Sequence, residues 1–192
     1  MQPSEIHQVQ EWFEQAVLGL GLCPFAAEPW QAGRIHFQVS RADSEPALVE
    51  DLRLALKQLE ATTPQSRETT ILIVTNLLAD FGDYNQFLNV ADDLLIDNDW
   101  EGEFQVASFH PHYQFADTEP ADVENLTNRS PYPLLHLLRE SSVAKAVDGH
   151  PDPERVPEDN IATLRSLSEE RRRKIFGFLD DQQSPQGSEQ GS

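Results

Sequence analysis

Three stretches of the 192-residue chain concentrate side chains capable of chemistry. Cys23, the one cysteine, follows Gly19 and Gly21 and precedes Pro24, which places it at a constrained corner. A cysteine becomes a nucleophile when a helix N-terminus, a cation or a histidine lowers its pKa, and no cation adjoins this one in the sequence. The plain alternative is a small core side chain. His110 lies just past a predicted strand, where a general acid/base would stand in an open parallel sheet. His112 would share its face in an unbroken strand and chelate a metal with it, but Pro111 interrupts that geometry. A hydrogen-bonded structural histidine is the alternative for each ring.

The third stretch, Thr127 to Glu140, places Arg129 before a predicted helix start at Pro133 and Arg139 inside that helix. Free backbone N–H groups and guanidinium groups both favour negative charge, so Asn128, Arg129, His136 and Arg139 form a candidate site for a carboxylate or phosphate. His136 and Arg139, three residues apart, would lie on one helical face. The architectural alternative pairs Arg139 with neighbouring acids and His136 with Glu140.

Three blocks of this text together resemble a bacterial family catalogued as a domain of unknown function, number 1415. They are Leu22 to Ala26; Ala107 to Pro111 with Tyr113, Gln114 and Phe115; and Thr127 to Glu140. The resemblance covers about residues 5 to 168. It marks these residues as a group and implies no activity, substrate or cofactor. The position between Pro111 and Tyr113 varies in the family's motif, which weakens His112 as a ligand.

For the blocks to meet, the intervening elements must deliver them to one edge. Ile6, Val9, Phe13, Ala16, Val17 and Leu20 recur at helical spacing, and glycines close the pattern. Residues 34–40 alternate as a half-buried strand. Ser44 and Pro46 then open a helix carrying Leu48, Leu52, Leu56 and Leu59. The unbroken apolar run at 70–75 predicts a central strand covered on both faces. Asp80 and Asp83 begin another helix, and 103–109 is a third strand. Strands alternating with helices predict a single α/β domain over 1–179 with three mainly parallel strands and packed helices; the competing fold is an α+β sandwich. A last helical stretch runs from Pro157 towards Phe178, and the polar residues 180–192 predict a disordered tail.

Fourteen Lys plus Arg against thirty-three Asp plus Glu give a net charge of −19, a field that repels phosphate backbones and anionic membranes. Neither nucleic acid nor a membrane is an expected partner. The chain's start lacks a basic segment followed by an apolar run, and no stretch of about 18 apolar residues occurs, so a soluble cytoplasmic protein is expected. The basic run Arg171 to Lys174 reads as a solvated helix face, and Asp92, Asp93, Asp97 and Asp99 lack calcium-loop spacing.

Three functions remain open. The first is an enzyme acting on a small anionic substrate, with Cys23 as nucleophile, His110 as general acid/base and the third stretch holding the anion. The second is a metal- or haem-binding protein using Cys23, His110 and His136. The third is a non-catalytic interaction module, in which Trp12, Trp30 and Trp100 and the acidic surface meet a partner, although each tryptophan sits within or beside an apolar pattern and packing is its plainer reading. The first requires the six residues Cys23, His110, Asn128, Arg129, His136 and Arg139 to converge at the carboxyl edge of the sheet.

Overall fold

Side-chain alternation sets which strands lie at the rim of the sheet and which lie inside it. In the computed structural model, which describes residues 4–181, β1 (Ile35–Ser40) and β3 (Phe104–Phe109) are edge strands, as their interleaved polar residues require. The inner pair is β2 (Thr69–Val74), buried at every position, and β4 (Leu134–Arg139). The sheet order is β1-β2-β4-β3. β1 and β2 pair in parallel, whereas β4 is antiparallel to both β2 and β3. The three strands read from the sequence thus point the same way in an α/β protein, but the sheet is mixed because β4 is inserted between two of them.

That insertion corrects the reading of residues 134–139 as a helix opened by Pro133. Leucine favours helices, but this preference is weak beside the burial available to a six-residue run flanked by two apolar strands. Alternation sends Leu135 and Leu137 into the core on one face and Leu134 into the core on the other.

Two helices cover the first face. α3 (Glu45–Glu60) starts at the expected Ser44 cap with Pro46 in its first turn, and α4 (Phe81–Asp97) starts at Asp80, whose carboxylate accepts from the amides of Gly82 and Asp83 at 2.8 and 3.1 Å. Leu48, Leu52, Leu56, Tyr84 and Phe87 of these helices pack on Leu72, Leu135 and Leu137.

On the second face lies α1 (Glu5–Trp12), which continues as one π-helical stretch, Phe13–Leu18. A Cβ on Gly19 would lie 2.5 Å from the Gln15 carbonyl oxygen, so the stretch closes on a glycine. After the short α2 (Ala27–Gln31) and the later α5 (Glu140–Gly149), the expected single C-terminal helix is divided into α6 (Val156–Ser166), α7 (Glu169–Phe176) and α8 (Phe178–Asp181). Ser168 recaps the chain by accepting from the Arg171 amide at 3.2 Å. Leu164, Ile175 and Phe176 join Val9, Trp12 and Phe13 over this face. The expected disordered tail lies outside the described residues from 182 onward, whereas 180 and 181 end α8.

Candidate functional site

At the carboxyl edge of β1, β2 and β3 the antiparallel β4 begins, so the segment Asn128–Pro133 arrives there beside the loop that leaves β3. Tyr84 of α4 reaches the junction. Its buried hydroxyl donates to the Leu134 carbonyl at 2.7 Å and accepts from the Phe109 amide at 3.0 Å, fastening a register pair of β3 and β4.

His110 is the next residue and has no exposed surface. Its Nδ1 accepts from the His112 amide at 3.0 Å, so Nε2 carries the proton and donates to the Leu78 carbonyl at 2.9 Å. Burial pushes its pKa down to about 4, and the neutral ring is the form both bonds need. It packs against Phe81 and Tyr84, with ring centroids 5.3 and 5.0 Å away.

The loop from Pro111 to Asp122 is short of regular structure, and buried polar side chains supply the bonds its backbone would otherwise lack. Asn125, in a 3-10 turn at Val123–Thr127, is fully buried. Its Oδ1 accepts from the Phe115 amide and the Thr118 hydroxyl, each at 2.9 Å, and its Nδ2 donates to the Glu119 carbonyl at 2.8 Å. Asn128 donates through Nδ2 to the Ser108 carbonyl at 3.0 Å, and its own carbonyl accepts from the His110 amide at 3.1 Å. Arg129 spans the loop, Nε to the Tyr113 carbonyl at 3.2 Å and one terminal nitrogen to the Pro120 carbonyl at 2.6 Å. Burial pulls the pKa of this guanidinium down, and no acidic side chain among the described residues forms an ion pair with it. The loop's tip carries an exposed Phe115 edge-on to Tyr113, ring centroids 5.0 Å apart.

Of the six residues selected from the sequence, the structure brings His110, Asn128 and Arg129 together around this loop. The others stand elsewhere. Cys23 packs with the helices of the second face, whereas the His110 ring packs on the α4 side, so the strand register separates the thiol from the imidazole by the sheet. Burial pushes the Cys23 thiol up, opposed only in part by hydrogen bonds from the backbone of Phe25 and Ala26. His136 lies on β4 rather than a helix, facing Phe109 on the second face at a ring distance of 6.2 Å. Its Nε2 is buried without a hydrogen-bond partner, and burial pushes its pKa down to about 4. Arg139 pairs in register with Phe104, at the other end of β3 and β4 from the Phe109–Leu134 pair, a span of about 16 Å for five strand steps. In a strand, residues three apart lie on opposite faces, so His136 and Arg139 do not share one. Arg139 closes α3: one terminal nitrogen donates to the Leu59 and Thr62 carbonyls at 2.6 and 2.7 Å, with the guanidinium carbon 5.6 Å from the Phe104 ring centroid.

Among the described residues no three of His, Cys, Asp and Glu gather in a way that would hold a metal ion, and Cys23, His110 and His136 are not an assembled ligand set. No helix among them is long and apolar enough to cross a membrane. Tyr84 and Asn125 join the site from outside the three sequence blocks. An Asn beside a predicted loop is a signal of side-chain-to-backbone bonding, and it was available for Asn125; nothing in the period of α4 distinguishes Tyr84 from its apolar neighbours.

Fold and site together define a three-layer α/β protein whose motif residues wire a surface loop to the carboxyl edge of a mixed sheet. The chain belongs to the family described as Protein of unknown function (DUF1415), whose model matches residues 4–174. No curated protein and no solved structure matches it.

Proposed function

We propose that the protein is a binding module and that the loop Pro111–Asp122 is its contact surface. The observation behind this is Asn125: a fully buried carboxamide directs both of its heteroatoms to an exposed loop, and Arg129 adds two further bonds. A loop fixed in one shape loses less entropy when a partner binds, and its exposed Phe115 is an aromatic anchor of the kind that dominates interfaces. A photo-crosslinking residue at Phe115, compared with one at the more exposed Ile96 of α4, tests this in cells of the source organism. A discrete adduct from position 115 that is absent from position 96 is expected. No adduct from 115, or the same adducts from both, would overturn it.

One observation favours a second reading, in which Arg129 and Asn128 hold a small carboxylate or phosphate. Arg129 is a partly buried cation without a carboxylate in a chain that carries thirty-three Asp plus Glu. Phosphate would then raise the melting temperature of the native protein and leave that of Arg129→Ala unmoved, because a ligand bound to the folded state stabilises it. Equal responses from the two proteins would exclude this site. Catalysis by a Cys23–His110 pair draws no support from their placement on opposite faces.

A further inference from the structure

We infer that the groove between the N-terminal ends of α3 and α4 is a docking site for a cationic peptide segment with apolar anchors, an inference that rests on the protein being a binding module, not on the loop's part in it, and names the partner's chemistry. The groove encloses about 480 Å³ at the same carboxyl edge. Leu48 and Phe87 form its floor, fully buried against the core, and the half-buried Leu78 and Val90 line it above them. Apolar side chains inserted there would cover the half-buried Leu77, Leu78 and Val90, the apolar surface that the core leaves open to water.

Leu78 is the second element of the argument. Its φ of 60° is a left-handed conformation that a branched, non-glycine residue rarely adopts. The Nε2–H of His110 holds its carbonyl at 2.9 Å, so a buried side chain from the family-like block stabilises the strained residue that shapes the groove. Held strain of this kind concentrates at ligand clamps, where a fixed shape reduces the ordering that binding requires.

Charge identifies the occupant. Glu45 and Asp83 line the groove as exposed carboxylates, and neither forms an ion pair among the described residues. The net charge of −19 steers cations towards the molecule and anions away from it. Lysine or arginine next to a leucine-like anchor satisfies both the rim and the floor, a combination that neither an acidic segment nor an uncharged polar one supplies.

The test is a titration of the isotope-labelled full chain with three synthetic peptides, KLLKKLLK, ELLEELLE and KSSKKSSK, followed through backbone amide shifts. The first should produce saturable shifts centred on Leu78 and Val90; ELLEELLE should produce none, and KSSKKSSK only non-saturating shifts spread over the acidic surface. Glu45→Lys/Asp83→Lys should weaken KLLKKLLK at least tenfold, as should the uncharged polar Val90→Asn, with melts confirming that both variants fold. Shifts that do not localise to the groove, or variants that bind KLLKKLLK as tightly as the native chain, would overturn the inference. If the Phe115 adduct persists while the peptide never localises, the groove fails and the loop stands; if the peptide docks but Phe115 gives no adduct, the inference survives and the loop loses its role.

Discussion

Arg139 gives the sharpest test of whether the motif's cations serve a ligand or the fold. The residue is 8% exposed, and one terminal nitrogen donates to the carbonyls of Leu59, in the last turn of α3, and of Thr62 just beyond it. Replacing it with Met keeps much of the side-chain volume but removes both charged-donor bonds; the Leu59 carbonyl keeps the Thr62 amide and hydroxyl at 3.1 and 2.7 Å, whereas the Thr62 carbonyl loses this donor. Hydrogen bonds from a charged donor contribute about 1.5–3 kcal/mol each, so two give about 3–6 kcal/mol. The cation–π contact with Phe104 adds about 0.5–1 kcal/mol, and relief from holding a guanidinium out of water offsets part of the sum. A net loss of about 3–5 kcal/mol follows, which for a chain of this length lowers the melting temperature by roughly 6–20 °C at about 2–4 °C per kcal/mol. Urea unfolding of Arg139→Met and Arg139→Lys beside the native protein measures it, the Lys variant falling between because an ammonium reproduces the charge but not the planar fork. A loss below about 1 kcal/mol for Arg139→Met would refute the structural assignment. So would a melting temperature that phosphate raises in the native protein and not in the variant.

Other consequences are as direct. His110 and His136 have folded pKa values near 4 against an ordinary 6.5, so both bind fewer protons folded than unfolded; the stability this gives is complete above about pH 6.5 and is lost as pH falls towards 4, about 2 kcal/mol per ring by pH 5, and imidazole NMR titrations near 6.5 would contradict it. Tyr84→Phe removes the hydroxyl that joins Leu134 and Phe109 and should cost about 1–3 kcal/mol in urea unfolding; a neutral change would show that water replaces it. Cys23 should react with a thiol reagent at pH 7 more slowly than free cysteine, with urea restoring the rate, and faster labelling than free cysteine would revive the nucleophile. Asn125→Ala should raise amide hydrogen exchange across residues 113–119 far more than in β2; unchanged exchange there would mean that the carboxamide does not order the loop.

Periodicity made most of the architecture legible. Residues 34–40 alternate because they form an edge strand, 70–75 does not because it is central, 103–109 is short and apolar enough to read as a strand, and Ser44 and Asp80 mark helix starts where the helices begin. β4 carries a related signature: Leu134, Leu135, Leu137 and Leu138 form an apolar run broken only by His136 and preceded by Pro131 and Pro133. Pro133 suits a helix start and a strand start alike, and leucine's intrinsic preference favours the helix. Only burial between β2 and β3, a long-range fact, reverses it.

The site was legible as a set of residue types and illegible as geometry, for a related reason. A run such as Asn128, Arg129, His136 and Arg139 stands out because polar side chains are expensive to bury, and expense has two explanations: a ligand or an otherwise unsatisfied backbone. Sequence spacing does not separate them, since the donors that would hold an anion are the donors that hold carbonyls. Register does. Once β4 is a strand antiparallel to β3, Arg139 is carried to one end of the sheet and Asn128 and Arg129 to the other, and each donates to carbonyl oxygens: Leu59 and Thr62 at the end of α3 for the first, Ser108 of the edge strand β3 and Tyr113 and Pro120 of the Pro111–Asp122 loop for the others. The motif therefore describes how an exposed loop is kept rigid, and rigidity without regular hydrogen bonding is what a recognition surface demands of its supporting residues.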